Sequence, residues 1–206
     1  FLQFGLSAGA VGPMALGKEL LAFIHPLLKI NPRSWDWMFD YGISNEIGVN
    51  AHGSYGFSLL PQKSPRLLQI TPVSSATLGT SFTNVQQSVL LQFGRQNAMH
   101  ESGLWNARLQ NTAGTSRSYK REVFAYYQPA ILYQLYNATI QGGLFRREKG
   151  RVTADSRPFV LTNKVGAMFA TPKYSLNLHV TYQSKEAEFQ EARHVFGGLN
   201  FSYRFR

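Results

Sequence analysis

The sequence predicts an all-β protein, a transmembrane antiparallel β-barrel of the outer-membrane type with about eight strands and a short helix in an extracellular loop. Several segments alternate apolar and polar residues over more positions than most soluble strands do. Aromatic residues recur near the strand ends, as in the interfacial girdles of such barrels. The C-terminal segment alternates aromatic and small polar residues, which is typical of the last strand of an outer-membrane barrel. A soluble barrel or sandwich is the alternative.

Composition limits the function classes. The chain has 206 residues without a Pro/Gly/Ser-rich linker, so we predict one domain spanning residues 1–206. It has no cysteine, which excludes disulfides and thiolate metal sites within it. The net charge of +10 predicts an anionic partner, such as a phospholipid head group or a phosphorylated glycolipid. Nucleic acid is disfavoured as a partner, because the chain has no Lys/Arg run with a recognisable motif.

The N-terminal segment predicts a strand and then a helix. Phe1 to Val11 alternates, and Gly12-Pro13 ends the pattern. From Leu16 apolar residues recur at spacings of three and four, which predicts a helix that Pro26 ends near His25. The chain begins inside an apparent strand at Phe1, so we expect that N-terminal strands of the barrel are missing from it.

The rest of the chain predicts seven more strands, of which residues 46–59 show the clearest alternation. A polar loop at residues 95–120 and charged loops at residues 146–157 and 184–193 separate some of them. We expect short turns at one end of the barrel and long loops at the other. The remaining predicted strands are residues 66–77, 85–93, 121–136, 159–169, 174–182 and 195–205.

Several short motifs resemble the outer-membrane lipid A 3-O-deacylase family. In the C-terminal third, Arg157-Pro158 opens a strand and Phe196-Gly197-Gly198 leads into the final aromatic strand. The resemblance covers essentially the whole chain and about two-thirds of the family barrel. The N-terminal motifs are Gly12-Pro13, Gly17-Lys18-Glu19, His25, Ser34-Trp35-Asp36 and Asn45-Glu46.

This resemblance implies a twelve-stranded barrel, a multi-pass protein of the cell outer membrane. The site would lie near the extracellular rim, between the barrel wall and a helix of an outer loop. It implies calcium-dependent ester hydrolysis that removes the 3-position acyloxyacyl chain of lipid A, the lipid of lipopolysaccharide. His25 matches the histidine thought to activate water. The family's N-terminal Asn-Asp and Tyr-Thr-Asn-Gly motifs have no counterpart here, so the metal ligands stay unassigned.

The candidate site residues follow from chemistry and from the resemblance. Ester hydrolysis by water needs a base that works near neutral pH, and His25 is the catalytic candidate. Glu46 and Asp36 are candidate polar partners for it. The substrate-binding candidates for lipid A phosphates are Lys18, Lys29 and Arg33, and the cluster Arg146, Arg147 and Lys149 is either a further phosphate contact or a solvated loop face.

The other histidines carry no such signal. His52 and His179 fall on polar strand faces, so we expect them to be hydrogen-bonded lumen residues. His100 and His194 lie in or near loops.

Three functions stay open at this point. The first is a carboxylic ester hydrolase, and no G-x-S-x-G segment supports a serine esterase. The second is a non-catalytic barrel, a structural or accessory subunit with a membrane-protein partner. The third is a pore. The chain is either a fragment of the enzyme or a shortened relative without activity.

Overall fold

A computed structural model describes residues 1–28, 42–60, 66–105, 119–145, 147–150 and 153–205; the side chains of residues 21, 25, 27, 28 and 66 are not described. The predicted all-β fold is confirmed. Within these described residues, eight antiparallel strands form one sheet in sequence order. They are β1 (Leu2–Val11), β2 (Glu46–Gly56), β3 (Arg66–Gly79), β4 (Phe82–Gln96), β5 (Glu122–Asn137), β6 (Phe159–Ala170), β7 (Tyr174–Gln183) and β8 (His194–Tyr203).

Among the described residues, two α-helices lie in the connections. They are α1 (Gly17–Leu28) and α2 (Ala138–Gln141). Within the described residues, no helix has both the length and the apolar character needed to cross a membrane. The prediction that Pro26 ends the first helix is wrong, because α1 continues through Pro26 to Leu28. The missing proline N–H removes one hydrogen bond of the final turn, and the helix ends two residues later.

The two faces of the sheet differ in chemistry. The outer face carries exposed apolar side chains along its strands, for example Leu6, Val49, Ile131 and Val180. The inner face carries polar residues and a small apolar cluster on β4, β5 and β6. Cross-strand partners share a face, so alternating strands place most of their apolar residues on the outer face and most of their polar residues on the inner face. The buried cluster contains Leu90, Phe124, Tyr126, Met168 and Ala170.

The distribution of loops departs from the expected one. The antiparallel order places α1, the turn after β3, α2 and the connection after β7 at one end of the sheet, here called the α1 end. The turn after β3 contains only Thr80 and Ser81, although the α1 end otherwise carries long connections. The connection between β4 and β5, which is described at residues 97–105 and 119–121, lies at the opposite end, where we expected short turns.

The first part of that segment packs on the inner face. Gly103 lies against Ala170, and the Trp105 ring lies 4.1 Å from the Phe1 ring between centroids. The carboxylate of Glu122 anchors the segment, accepting hydrogen bonds from the Asn97 N–H at 2.8 Å and the Gly103 N–H at 2.7 Å. This tertiary anchor holds the described first part of the predicted loop, residues 97–105, against the inner face of the sheet.

The histidines of the strands lie on the inner face. His52 is hydrogen-bonded as predicted, with Nε2 2.8 Å from the Ser7 hydroxyl and Nδ1 3.1 Å from the Thr77 hydroxyl. The His179 ring lies over Gly198. We expected His179 to be hydrogen-bonded as well. Its buried Nδ1 atom, however, has no hydrogen-bond partner among the described residues.

A glycine substitution tests the packing of the inner face. A β-carbon at Gly166 would overlap the Tyr126 ring and lie 2.7 Å from the Leu178 carbonyl oxygen. We expect Gly166→Ala to lower the free energy of unfolding by about 1–3 kcal/mol, because the ring must leave its position. Gly197→Ala is the matched control, since its β-carbon would meet only the His179 carbonyl oxygen at 3.5 Å. Urea unfolding in detergent micelles measures both, and equal stabilities would contradict the packing.

Candidate functional site

The α1 segment leaves the sheet through a strained turn. Gly12 has φ +87°, and a β-carbon there would lie 2.7 Å from the Ile43 carbonyl oxygen. Glycine permits both the positive φ and the close approach of the Gly12 backbone to the Ile43 backbone. A 3₁₀ turn at Pro13–Ala15 follows, and Leu16 (φ 55°) then directs the chain into α1. The local sequence therefore explains why the helix begins immediately beside the end of β1.

Asn45 fastens the start of this segment to β2. Its side-chain oxygen accepts a hydrogen bond from the Met14 N–H at 2.6 Å. The next residue, Glu46, opens β2 and pairs with Val11 of β1. The Asn45-Glu46 motif therefore lies at the base of the α1 connection. There the segment that enters the connection is hydrogen-bonded to the segment that leaves it.

Glu46 is buried and points into the α1 end of the inner face. One carboxylate oxygen accepts a hydrogen bond from the Leu144 N–H at 3.1 Å. The other oxygen is buried and has no hydrogen-bond partner among the described residues. It lies against Gly143, where a side chain would displace it. Glu46 thus holds the connection that follows α2, a contact that its sequence position does not indicate.

The connection after α2 also closes on the chain that follows α1. Gly150 forms a β-bridge with Ile43, and the Ser44 N–H donates to the Lys149 carbonyl oxygen at 3.4 Å. The Tyr136 hydroxyl donates to the Gly142 carbonyl oxygen at 2.6 Å. Residues 138–145 and 147–150 therefore form one packed unit with the base of the α1 segment at this end of the sheet. The Gly142-Gly143 pair after an aromatic strand is the sequence signal that could have indicated it.

The predicted site residues are only partly described. The backbone of His25 lies in the second half of α1, and its side chain is outside the described part. Lys18 lies exposed in the first turn of the same helix. Glu46 lies at the base of the segment, while Arg147 and Lys149 are exposed in the connection after α2. Lys29, Arg33, Asp36 and Arg146 lie outside the described residues.

The described residues do not fit a calcium site. Calcium takes six to eight oxygen ligands, most of them carboxylates and carbonyls. Nowhere in the described ranges do three or more His, Asp or Glu residues group closely enough to hold a metal ion. The free oxygen of Glu46 is a single carboxylate donor. No reaction step can therefore be assigned to calcium from these residues.

The contact between Glu46 and Leu144 can be tested by proteolysis. We expect Glu46→Ala to speed tryptic cleavage after Arg147 and Lys149 severalfold, because the connection loses the hydrogen bond from the Leu144 N–H. Glu188→Ala, which changes an exposed carboxylate at the same end, is the control. Mass spectrometry of the timed digest identifies the cut sites. An unchanged cleavage rate in Glu46→Ala would contradict the anchoring role.

The chain matches a known protein family in sequence and a solved structure in fold. The family model described as outer membrane protein LpxR matches residues 1–205. The solved structure of LpxR from Salmonella typhimurium superimposes with a TM-score of 0.74 at 18% sequence identity. The match covers 99% of this chain and 67% of that chain, and at this identity it shows the fold. None of the curated proteins matches the chain.

Proposed function

Because the chain belongs to the LpxR family of outer membrane proteins, we propose that it is a lipid A deacylase-like ester hydrolase that removes the 3-position acyloxyacyl chain. The observation that carries this proposal is the family match along residues 1–205. The placement of α1 at one end of the sheet supports it, since the Asn45 side chain and the pairing of Glu46 with Val11 fix the base of the α1 segment. A site at this end would face lipid A in the outer leaflet of the membrane.

In the proposed reaction His25 is the general base. It takes a proton from water, and the resulting hydroxide attacks the ester carbonyl carbon. The tetrahedral intermediate then collapses and expels the sugar 3-oxygen, which receives the proton. The products are a free acyloxyacyl acid and lipid A with a free 3-hydroxyl group. Every atom of the added water is thus found in the two products.

Basic residues of the α1 segment would bind the phosphates of the substrate. Lys18 is exposed in the first turn of α1, which suits a contact with a charged head group. Lys29 and Arg33 follow the helix in the sequence and have the same chemistry. The role of all three stays a prediction. The calcium that the resemblance implies also stays a prediction, and no step above depends on it.

Product analysis of the purified protein tests this proposal. The chain is folded in detergent micelles and incubated with hexa-acylated lipid A, and the products are identified by mass spectrometry. We expect loss of one acyloxyacyl group from the lipid and its recovery as the free acid. Loss of a different chain would contradict the assigned position, and recovery of intact lipid A would contradict the enzyme.

One observation favours the alternative, a non-catalytic barrel that acts as an accessory subunit. Within the described residues, β1 and β8 each pair with one neighbour only. Unpaired strand edges are costly in lipid, so a membrane-protein partner could cover them. Under this alternative, cross-linking in membranes would capture a partner along β1 or β8, and lipid A would stay intact in the assay above.

A further inference from the structure

A groove lies on the outer face of the sheet at the α1 end, where β5, β6 and β7 meet the rim. It has a volume of about 590 Å³. Three apolar side chains of the membrane-facing surface, Ile131, Phe159 and Leu161, line its lower part. Three cations, Arg157, Lys185 and Arg193, line it at the rim, and its described lining contains no carboxylate. The groove is therefore apolar toward the membrane and cationic toward the surface.

The three cations are available to a ligand. Within the described part of the chain, none of them forms an ion pair. The nearby carboxylate of Glu186 instead accepts a hydrogen bond from the Gln183 amide at 2.7 Å. The Arg193 guanidinium lies 5.8 Å from the centre of the Tyr182 ring, which holds it beside the outer face.

The backbone that carries these cations is built into the sheet. The Arg157 N–H donates to the Glu186 carbonyl oxygen at 2.8 Å, and Ser156 forms a β-bridge with Ala187. The Ser184 N–H donates to the Leu161 carbonyl oxygen at 2.8 Å. The rim segments of β6 and β7 are therefore held together, so the arrangement of charges above the apolar surface is pre-organised.

We propose that this groove binds a phosphorylated glycolipid of the outer leaflet, with its phosphates on Arg157, Lys185 and Arg193 and its acyl chains along Ile131, Phe159 and Leu161. Guanidinium and ammonium groups bind phosphate through charge-assisted hydrogen bonds. Three cations match a head group with more than one phosphate better than the single phosphate of a phospholipid. The groove lies on β5 to β7, whereas α1 lies between β1 and β2, so this surface is separate from the proposed reaction site.

Site-specific photo-cross-linking in cells tests this surface without any need for catalysis. A benzophenone amino acid replaces Phe159 in the His25→Ala chain, and adducts are identified after irradiation. We expect an adduct with lipopolysaccharide. The charge-reversal variant Arg157→Glu, Lys185→Glu, Arg193→Glu should lower its yield at least about tenfold, since each basic residue contributes about fivefold to binding of an anionic lipid surface.

Two controls separate the groove from general effects. Lys173→Glu makes one such charge change at the opposite end of the β6–β7 pair and should leave the yield unchanged. The benzophenone residue at Phe169, at the other end of β6, should give no lipopolysaccharide adduct. Heat-modifiability on gels confirms that each variant folds. The proposal is overturned by an adduct with phospholipid only, by no adduct, or by a yield that charge reversal leaves unchanged or that Lys173→Glu lowers equally.

Discussion

His25→Ala should lose at least about a hundredfold in the rate of lipid A deacylation, because a general base contributes about 10²- to 10⁴-fold to such reactions. The variant should fold normally, since alanine is the best helix former and position 25 lies within α1. The rate is measured as free acyloxyacyl acid released from lipid A in micelles, at equal amounts of folded protein.

His100→Ala is the matched control for this result. His100 is an exposed histidine in the 3₁₀ turn at Met99–Glu101, at the opposite end of the sheet. Its removal should leave the rate of deacylation unchanged. Full activity of His25→Ala would refute the assigned role of His25, and an equal loss in both variants would show that the effect is not specific to the site.

Glu122→Ala should cause a large loss of stability. The Glu122 side chain is fully buried, and its two oxygens accept hydrogen bonds from Asn97, Ser102 and Gly103. Removing the carboxylate leaves buried backbone donors unpaired, at about 1–3 kcal/mol each. We therefore expect the free energy of unfolding to fall by about 3 kcal/mol or more.

Two further variants check the cause of that loss. Glu122→Gln keeps the shape but offers one acceptor oxygen in place of two, so its stability should lie between those of wild type and Glu122→Ala. Glu188→Ala removes an exposed carboxylate and should change stability by about 0.5 kcal/mol at most. Unfolding in urea is followed by tryptophan fluorescence, since Trp105 lies in the anchored segment. A wild-type stability of Glu122→Ala would contradict the anchor.

Most of the strands could be predicted from the sequence because they alternate. The outer face meets lipid and the inner face carries polar groups, so the period of two is clear in strands such as Glu46–Gly56 and weaker in Arg66–Gly79. The predicted ends of the strands were less accurate than their predicted positions. Alternation fades in the last residues of a long strand, and β4 extends beyond the predicted residues 85–93 to Phe82 and Gln96.

The tertiary anchors could not be predicted in the same way. The sequence indicated Glu46 as a partner for His25, and that prediction stays open because the His25 side chain lies outside the described part. The hydrogen bond that Glu46 accepts from the Leu144 N–H, 98 residues away, had no signal in the sequence. Glu122 opens a strand, and no local pattern shows that backbone N–H groups of residues 97–103 converge on it. The position of His25 on a helix was predicted correctly, since its apolar spacing of three and four is local.

The most direct test of the central claim is the mass of lipid A from cells that produce this protein. Lipid A is extracted from matched cells that carry the wild-type chain, the His25→Ala chain or neither. We expect lipid A to be lighter by one acyloxyacyl group in the cells with the wild-type chain alone. Identical lipid A masses in all three, with the protein folded in the outer membrane, would contradict it.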